Sequence, residues 1–252
     1  MLSCEDVRVR FRGIVALDGV SFEVAKGSIV AIIGPNGAGK TTLFNCISRL
    51  YPIDGGDILF DGQSLRALAS HRVAGLGIAR TFQNVALFDS LTVTENIKLG
   101  AHADLGCGFA AHALRLPVAA RAERKLAADV ADLVALLDLT TVAHRRVAEL
   151  PFGTRKRIEL GRALAGKPRL LLLDEPASGL NHTEVEELTS LIGSIAERLA
   201  LTVLLVEHHM NVVMRVSHRV VVLDFGRKIG DGTPEEVRSD PQVIRAYLGG
   251  QA

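Results

Sequence analysis

Gly34-Pro-Asn-Gly-Ala-Gly-Lys-Thr-Thr42 follows directly on the apolar run Ser28-Ile-Val-Ala-Ile-Ile33 and leads into Thr41-Thr-Leu-Phe-Asn-Cys-Ile47, whose apolar residues recur at helical spacing. The stretch fits G-x-x-x-x-G-K-[ST] from Gly34 through Thr41, and a strand, a glycine loop and a helix in that order form the context in which this pattern is a site. Gly34, Gly37 and Gly39 allow a tight turn and keep side chains away from a ligand. Successive backbone N–H groups then point inward as an anion nest, and the helix beginning near Lys40 aims its positive end at the same point. Lys40 adds a mobile charge for β- and γ-phosphates, and the Thr41 hydroxyl is placed to ligate Mg²⁺. The candidate nucleotide-phosphate site is therefore Gly34, Pro35, Asn36, Gly37, Ala38, Gly39, Lys40, Thr41 and Thr42.

Composition sets the surroundings. With 252 residues the chain is long enough for one large α/β domain or two modest lobes. A formal net charge of +1 gives no electrostatic case for nucleic acid as a partner. Cys4, Cys46 and Cys107 are scattered without a C-x-x-C, which fits a reducing compartment better than a disulfide framework. No apolar run approaches the roughly 18–20 residues of a membrane helix, and the first residues lack a leader pattern. The expectation is a soluble cytoplasmic chain.

Outward from the loop, Val7, Val9 and Phe11 share one face of an alternating segment, as do Val20, Phe22 and Val24 of a second. These predict antiparallel strands ahead of the loop strand. Ile53 to Asp57 reads as a turn, Ile58 to Phe60 as a strand, and Asp61-Gly62 as another turn. Residues 92–147 are rich in Ala, Leu, Arg and Glu, with Leu126, Val130, Leu133, Val134 and Leu137 at helical spacing, and Gly106, Gly108 and Pro117 interrupt the stretch before that helix. Beyond residue 150, short unbroken apolar strands (170–173, 201–206, 220–223) alternate with helices, which predicts a parallel sheet covered on both faces. The fold class expected is α/β: a phosphate-loop NTPase core with a mainly parallel sheet, an antiparallel β-subdomain and an inserted α-helical subdomain. We expect one domain over 1–252, with 1–91 and 150–252 forming the core and about 92–149 the helical subdomain.

Leu170-Leu-Leu-Leu-Asp-Glu-Pro176 supplies a second half of the site. A buried strand brings Asp174 and Glu175 to the C-terminal edge of the sheet, where ligands of open α/β sheets collect. Asp174 is placed to hold the Mg²⁺ hydration shell, and Glu175 to orient or deprotonate a water attacking the γ-phosphate.

With these motifs in order, the chain resembles the ATP-binding subunit of an ABC (ATP-binding cassette) transporter over nearly its whole length. Gly34–Thr42 looks like the Walker A loop and Leu170–Glu175 like Walker B. The resemblance implies that Phe11 stacks on adenine, that Gln83 reaches Mg²⁺ and the attacking water, that His208 contacts the γ-phosphate as the switch histidine, and that Ser178-Gly-Leu-Asn181 is the D-loop. The implied catalytic set is Glu175, His208 and Gln83, and the implied metal set Thr41, Gln83 and Asp174. His209, beside the switch, is expected to be a solvated residue. Leu150-Pro-Phe-Gly-Thr154 stands where the family has Leu-Ser-Gly-Gly-Gln. Gly153 keeps the glycine that meets phosphate at a helix N-terminus, whereas Pro151 removes a serine hydroxyl. Arg155, Lys156 and Arg157 are expected to line a solvated helix face.

Gly77–Asn84, the segment Gly100–Ala120, Ala177–Asn181 and the ending Val243–Gly249 are similar to ABC subunits serving branched-chain amino acid importers. The resemblance implies ATP and Mg²⁺ as cofactors, membrane permeases and a second ATP-binding subunit as partners, a solute-binding protein as an indirect one, no nucleic acid, and a peripheral place on the cytoplasmic face of the membrane. A lipid-exporter cassette, a soluble non-transport ABC ATPase and a phosphate-loop kinase remain alternatives at this stage.

Overall fold

The computed structural model describes residues 1–82, 85–101 and 117–248. Ten strands and nine α-helices fall in the described residues. The strands are β1 (Leu2–Phe11), β2 (Ile14–Val24), β3 (Ile29–Ile33), β4 (Gly55–Phe60), β5 (Gln63–Ser64), β6 (Ile78–Arg80), β7 (Leu170–Asp174), β8 (Thr202–Val206), β9 (Arg219–Asp224) and β10 (Arg227–Gly232). The helices are α1 (Lys40–Ile47), α2 (Ser70–Gly75), α3 (Val93–Gly100), α4 (Pro117–Leu136), α5 (Phe152–Ala165), α6 (His182–Arg198), α7 (Met210–Val216), α8 (Pro234–Ser239) and α9 (Pro241–Leu248).

Two sheets form. One has six strands in the order β10-β9-β3-β8-β7-β6, parallel from β9 to β6, with β10 antiparallel at the edge. The other has four antiparallel strands in the order β2-β1-β4-β5. The apolar runs of β3, β7, β8 and β9 divide by parity, as a pleated strand requires. Val30, Ile32, Leu170, Leu172, Leu204, Val206, Val221 and Leu223 face a core shared with α1 and the antiparallel sheet. Leu171, Leu173, Val203 and Leu205 face the opposite way, onto α3 to α6, and Ala31, Ile33, Val220 and Val222 meet α7, α8 and α9. The central strands are covered on both faces, which is why they read as unbroken apolar runs.

Two local expectations change. Phe11 does not share the buried face of Val7 and Val9, at 0% and 1% exposed; it is 40% exposed. Arg10, Ile14 and Val15 are exposed with it, so the far end of the β1–β2 hairpin runs past the buried core, where alternation no longer selects an inner face. The turn expected over Ile53–Asp57 is shorter, because Gly55 and Asp57 already pair with Arg8 and Glu5 of β1.

Candidate active site

The glycine loop leaves β3 at Gly34 and enters α1 at Lys40. Gly39 caps the helix at φ 99°, and a Cβ there would lie 2.7 Å from Ala16 O, so only glycine fits. The Gly226 N–H donates to Ala38 O at 3.1 Å, tying the loop to the β9–β10 turn. Lys40 is 7% exposed, and its Nζ donates to Gly34 O at 2.7 Å and Pro35 O at 2.9 Å. Burial lowers the Lys40 ammonium from its ordinary pKa, while Glu175 and Asp174 pull it part of the way back. Both acids therefore act electrostatically at the loop. Thr41 is exposed at the helix N-terminus and Thr42 is half-buried behind it.

Asp174 ends β7 and is 4% exposed. Glu175 follows in the left-handed region at φ 47°, its N–H donating to Val206 O at 2.9 Å. That reversal turns the chain off the strand and brings Glu175 Oε2 to 3.9 Å from His208 Nδ1. The parallel pairing of Asp174 with Val206 is what delivers the two side by side. The His208 and His209 rings stand 4.3 Å apart with a 36° tilt. His209 is half-buried as the N-cap residue of α7, and not the solvated residue expected, because the helix start draws it inward.

Phe11 sits edge-on to Tyr51, with ring centroids 5.3 Å apart. Gly153 is the second residue of α5, behind Pro151 in the N-cap place, which makes no side-chain capping bond. The Phe152 ring lies against Gly179, where an added Cβ would come within 2.9 Å of it. The basic run on α5 is not a solvated face. Lys156 is 5% exposed with its Nζ 5.5 Å from the Phe152 ring, Arg155 donates to Leu150 O and Ala148 O, and Arg157 pairs with Glu187. Helical periodicity carries Lys156 to the face that packs on the sheet, and the carboxylates of Glu159, Glu207, Glu175 and Asp174 bear electrostatically on its ammonium there. Gln83 and Cys107 lie outside the described residues, as do Gly106, Gly108 and most of Gly100–Ala120.

Three residues join this constellation that the motif reading passed over. Arg80 pairs with Asp174, Glu207 braces the loops carrying Glu175 and His208, and Tyr51 meets Phe11. The only advance signal for Arg80 was a charge closing a short strand just before Gln83; an acid closing the apolar run of β8 was the signal for Glu207.

The Asp174 carboxylate and Thr41 hydroxyl are hard oxygen donors of the kind Mg²⁺ takes. One Asp174 oxygen already accepts from Arg80 at 2.7 Å, which suits an acid that meets the ion through its water shell.

A phosphate-cradling loop with its lysine, and an acid pair closing a neighbouring strand of a mainly parallel sheet, define a phosphate-loop NTPase. The profile of the family described as ABC transporter matches residues 17–178, and one described as branched-chain amino acid ATP-binding cassette transporter matches residues 227–252. The chain belongs to the ABC transporter family of ATP-binding cassettes, which are ATPases coupled to transport. It is 41% identical to the high-affinity branched-chain amino acid transport ATP-binding protein BraF of Pseudomonas aeruginosa, over 99% of this chain and 98% of that one. It is 40% identical, with the same coverage, to the corresponding protein LivG of Escherichia coli. Among solved structures, an ABC transporter cassette in its ADP conformation matches with a TM-score of 0.84 at 28% identity, covering 99% of this chain and 98% of that one. A nucleotide-free cassette matches at 0.82 and 28%, covering 98% of each chain.

Proposed function

We propose that this chain hydrolyses ATP to power import of branched-chain amino acids, or of a related small polar solute, across the cytoplasmic membrane. The observation that carries the catalytic part is the meeting of Lys40, Asp174, Glu175 and His208 at one edge of the sheet. The importer reading is supported by the near-complete coverage of BraF and LivG. It favours import over the lipid-exporter and soluble-ATPase alternatives.

In this reading Phe11, with Tyr51 behind it, offers an aromatic face to adenine. Main-chain amides from Gly34 to Thr42 and the N-terminus of α1 hold the phosphates. Lys40 exchanges its carbonyl partners for phosphate oxygens, a short swing that returns a desolvated cation to a strong counter-charge. Thr41, Asp174 and, by its motif, Gln83 would hold Mg²⁺, which would supply charge neutralisation for the phosphates. Glu175 orients a water and takes its proton as the oxygen attacks phosphorus, while His208 holds the γ-phosphate from the other side. Catalysis is then positioning and charge stabilisation. A second cassette, presenting the start of its own α5 around Gly153, closes over the nucleotide.

A groove of about 590 Å³ lies beside the site, with Leu50, Val73, Arg80, Phe82, Phe88 and Leu99 among its walls. Leu50, Phe82, Phe88 and Leu99 are 52%, 44%, 56% and 40% exposed. This apolar rim, to which Leu99 of α3 contributes, fits a docking permease segment. No helix among the described residues is long and apolar enough to cross a membrane.

Reconstitution with its membrane subunits in vesicles is the test. ATP-dependent uptake of labelled leucine, isoleucine or valine supports the reading. Hydrolysis of Mg·ATP without uptake of any of them removes the branched-chain assignment and leaves a related solute, and a well-folded chain giving no calorimetric signal with Mg·ATP removes the catalytic reading.

A further inference from the structure

Glu207 is a carboxylate at 0% exposure, a position tolerable for a charge only when directed hydrogen bonds surround it. Among the described residues it accepts three, all from backbone, and its Oε2 also lies 3.9 Å from His208 Nδ1. Oε1 accepts from the Ala177 N–H at 2.9 Å, and Oε2 accepts from the His208 and His209 N–H groups at 2.9 and 3.0 Å. One end of the carboxylate thus holds the segment that follows Glu175, and the other holds the turn that carries His208.

The first of these segments needs holding. Glu175 has φ 47°, a left-handed conformation that a residue with a side chain keeps only when its surroundings impose it. Its N–H is anchored on Val206 O, and two residues later the Ala177 N–H is anchored on Glu207. The turn from Glu175 to Ala177 is therefore fastened at both ends to consecutive residues at the end of β8. Ala177 also opens the segment Ala177–Asn181, against which the Phe152 ring packs at Gly179.

We propose that Glu207 is a positioning residue that sets Glu175 and His208 at a fixed separation and transmits displacement of the Ala177–Asn181 segment to His208. The proposal rests on the roles given above to Glu175 and His208. Its chemistry is specific to a carboxylate, which accepts at both oxygens. Glutamine of the same shape accepts at one end only. Its amide nitrogen must face either the Ala177 N–H or the two histidine N–H groups, donor against donor, so one segment is released.

In the full chain, Glu207→Gln is expected to lower kcat for Mg·ATP about 10–100-fold, the range that follows from misplacing a reacting group by about 1 Å, with the calorimetric Kd for Mg·ATP held within about twofold because the phosphate loop is untouched. A kcat within about twofold of the parent, or a Kd rising in step with the fall in kcat, overturns the proposal. Amide exchange in the unsubstituted chain decides the matter even if that variant does not fold. The Ala177, His208 and His209 amides are expected to be protected and to open together; an Ala177 amide exchanging freely while the histidine amides stay protected overturns it. An unsubstituted chain that fails to bind Mg·ATP defeats the assigned function instead, and leaves the exchange result to judge Glu207.

Discussion

Arg80 Nη2 donates to Asp174 Oδ2 at 2.7 Å, between side chains only 9% and 5% exposed. Nη1 of the same guanidinium donates to Asn45 Oδ1 of α1 at 2.8 Å and to Ser48 Oγ just past that helix at 3.2 Å, and the group stands over the rings of Phe44 and Phe82. Its Nε is buried without a hydrogen-bond partner among the described residues. The acid that ends β7 is thus charge-matched by the protein itself, through a residue that also lines the groove beside Phe82.

Arg80→Met leaves Asp174 buried without its counter-charge. Breaking a buried pair at one partner costs about 3–5 kcal/mol, so urea unfolding of the nucleotide-free chain is expected to lose about 3 kcal/mol. Adding Asp174→Asn removes the orphaned charge and is expected to recover part of that loss. A double variant whose loss equals the sum of the two single ones shows that the pair does not couple.

How far these features were legible differs by kind. Local features were open to reading: the glycine loop, the apolar runs of β3, β7 and β8, and the acids at 174 and 175 all lie within a few residues of the signals that mark them. The antiparallel sheet was visible in the alternation of Val20, Phe22 and Val24. What escaped depends on contacts far apart in the chain. Arg80 and Asp174 are bonded across 94 positions, and Glu207 and Ala177 across 30. No pattern at one residue announces such a partner. Phe11 was assigned to the buried face because alternation does not reveal where a hairpin runs past its core: Arg10, Ile14 and Val15 are exposed there as well. Lys156 misled because charge suggests solvent while helical phase sets which face is buried; burial lowers its ammonium pKa, and Glu159, Glu207, Glu175 and Asp174 offset part of that.

Lys40→Met separates binding from folding. Removing two charge-assisted contacts to phosphate at about 1.5 kcal/mol each raises the Kd for Mg·ATP roughly 100-fold or more. The nucleotide-free chain is expected to change stability by no more than about 1 kcal/mol, because relief of ammonium burial offsets the lost bonds to Gly34 O and Pro35 O. Calorimetry and thermal melting read the two quantities independently, and a fall in both together contradicts the assignment.

Glu175→Gln keeps the shape of the side chain and removes its basicity. Hydrolysis is expected to fall by at least about 100-fold while Mg·ATP still binds, so that ATP-held dimers accumulate on size exclusion. Undiminished turnover with monomer alone would show that Glu175 is not the base.

Pro151→Ser tests the departure at the start of α5. Proline in that place makes no side-chain capping bond, whereas serine caps a helix by about 1 kcal/mol. Loss of proline's restraint on the unfolded chain returns about 0.4–1 kcal/mol in the opposite direction. The melting temperature is therefore expected to move by less than about 3 °C. The hydroxyl would also face the nucleotide held by a second cassette, so the ATP-dependent dimer is expected to tighten several-fold in sedimentation measured on the Glu175→Gln background. An unchanged dimer constant would mean that the helix N-terminus around Gly153 suffices for the contact, and that this chain has no use for the hydroxyl that Pro151 displaces.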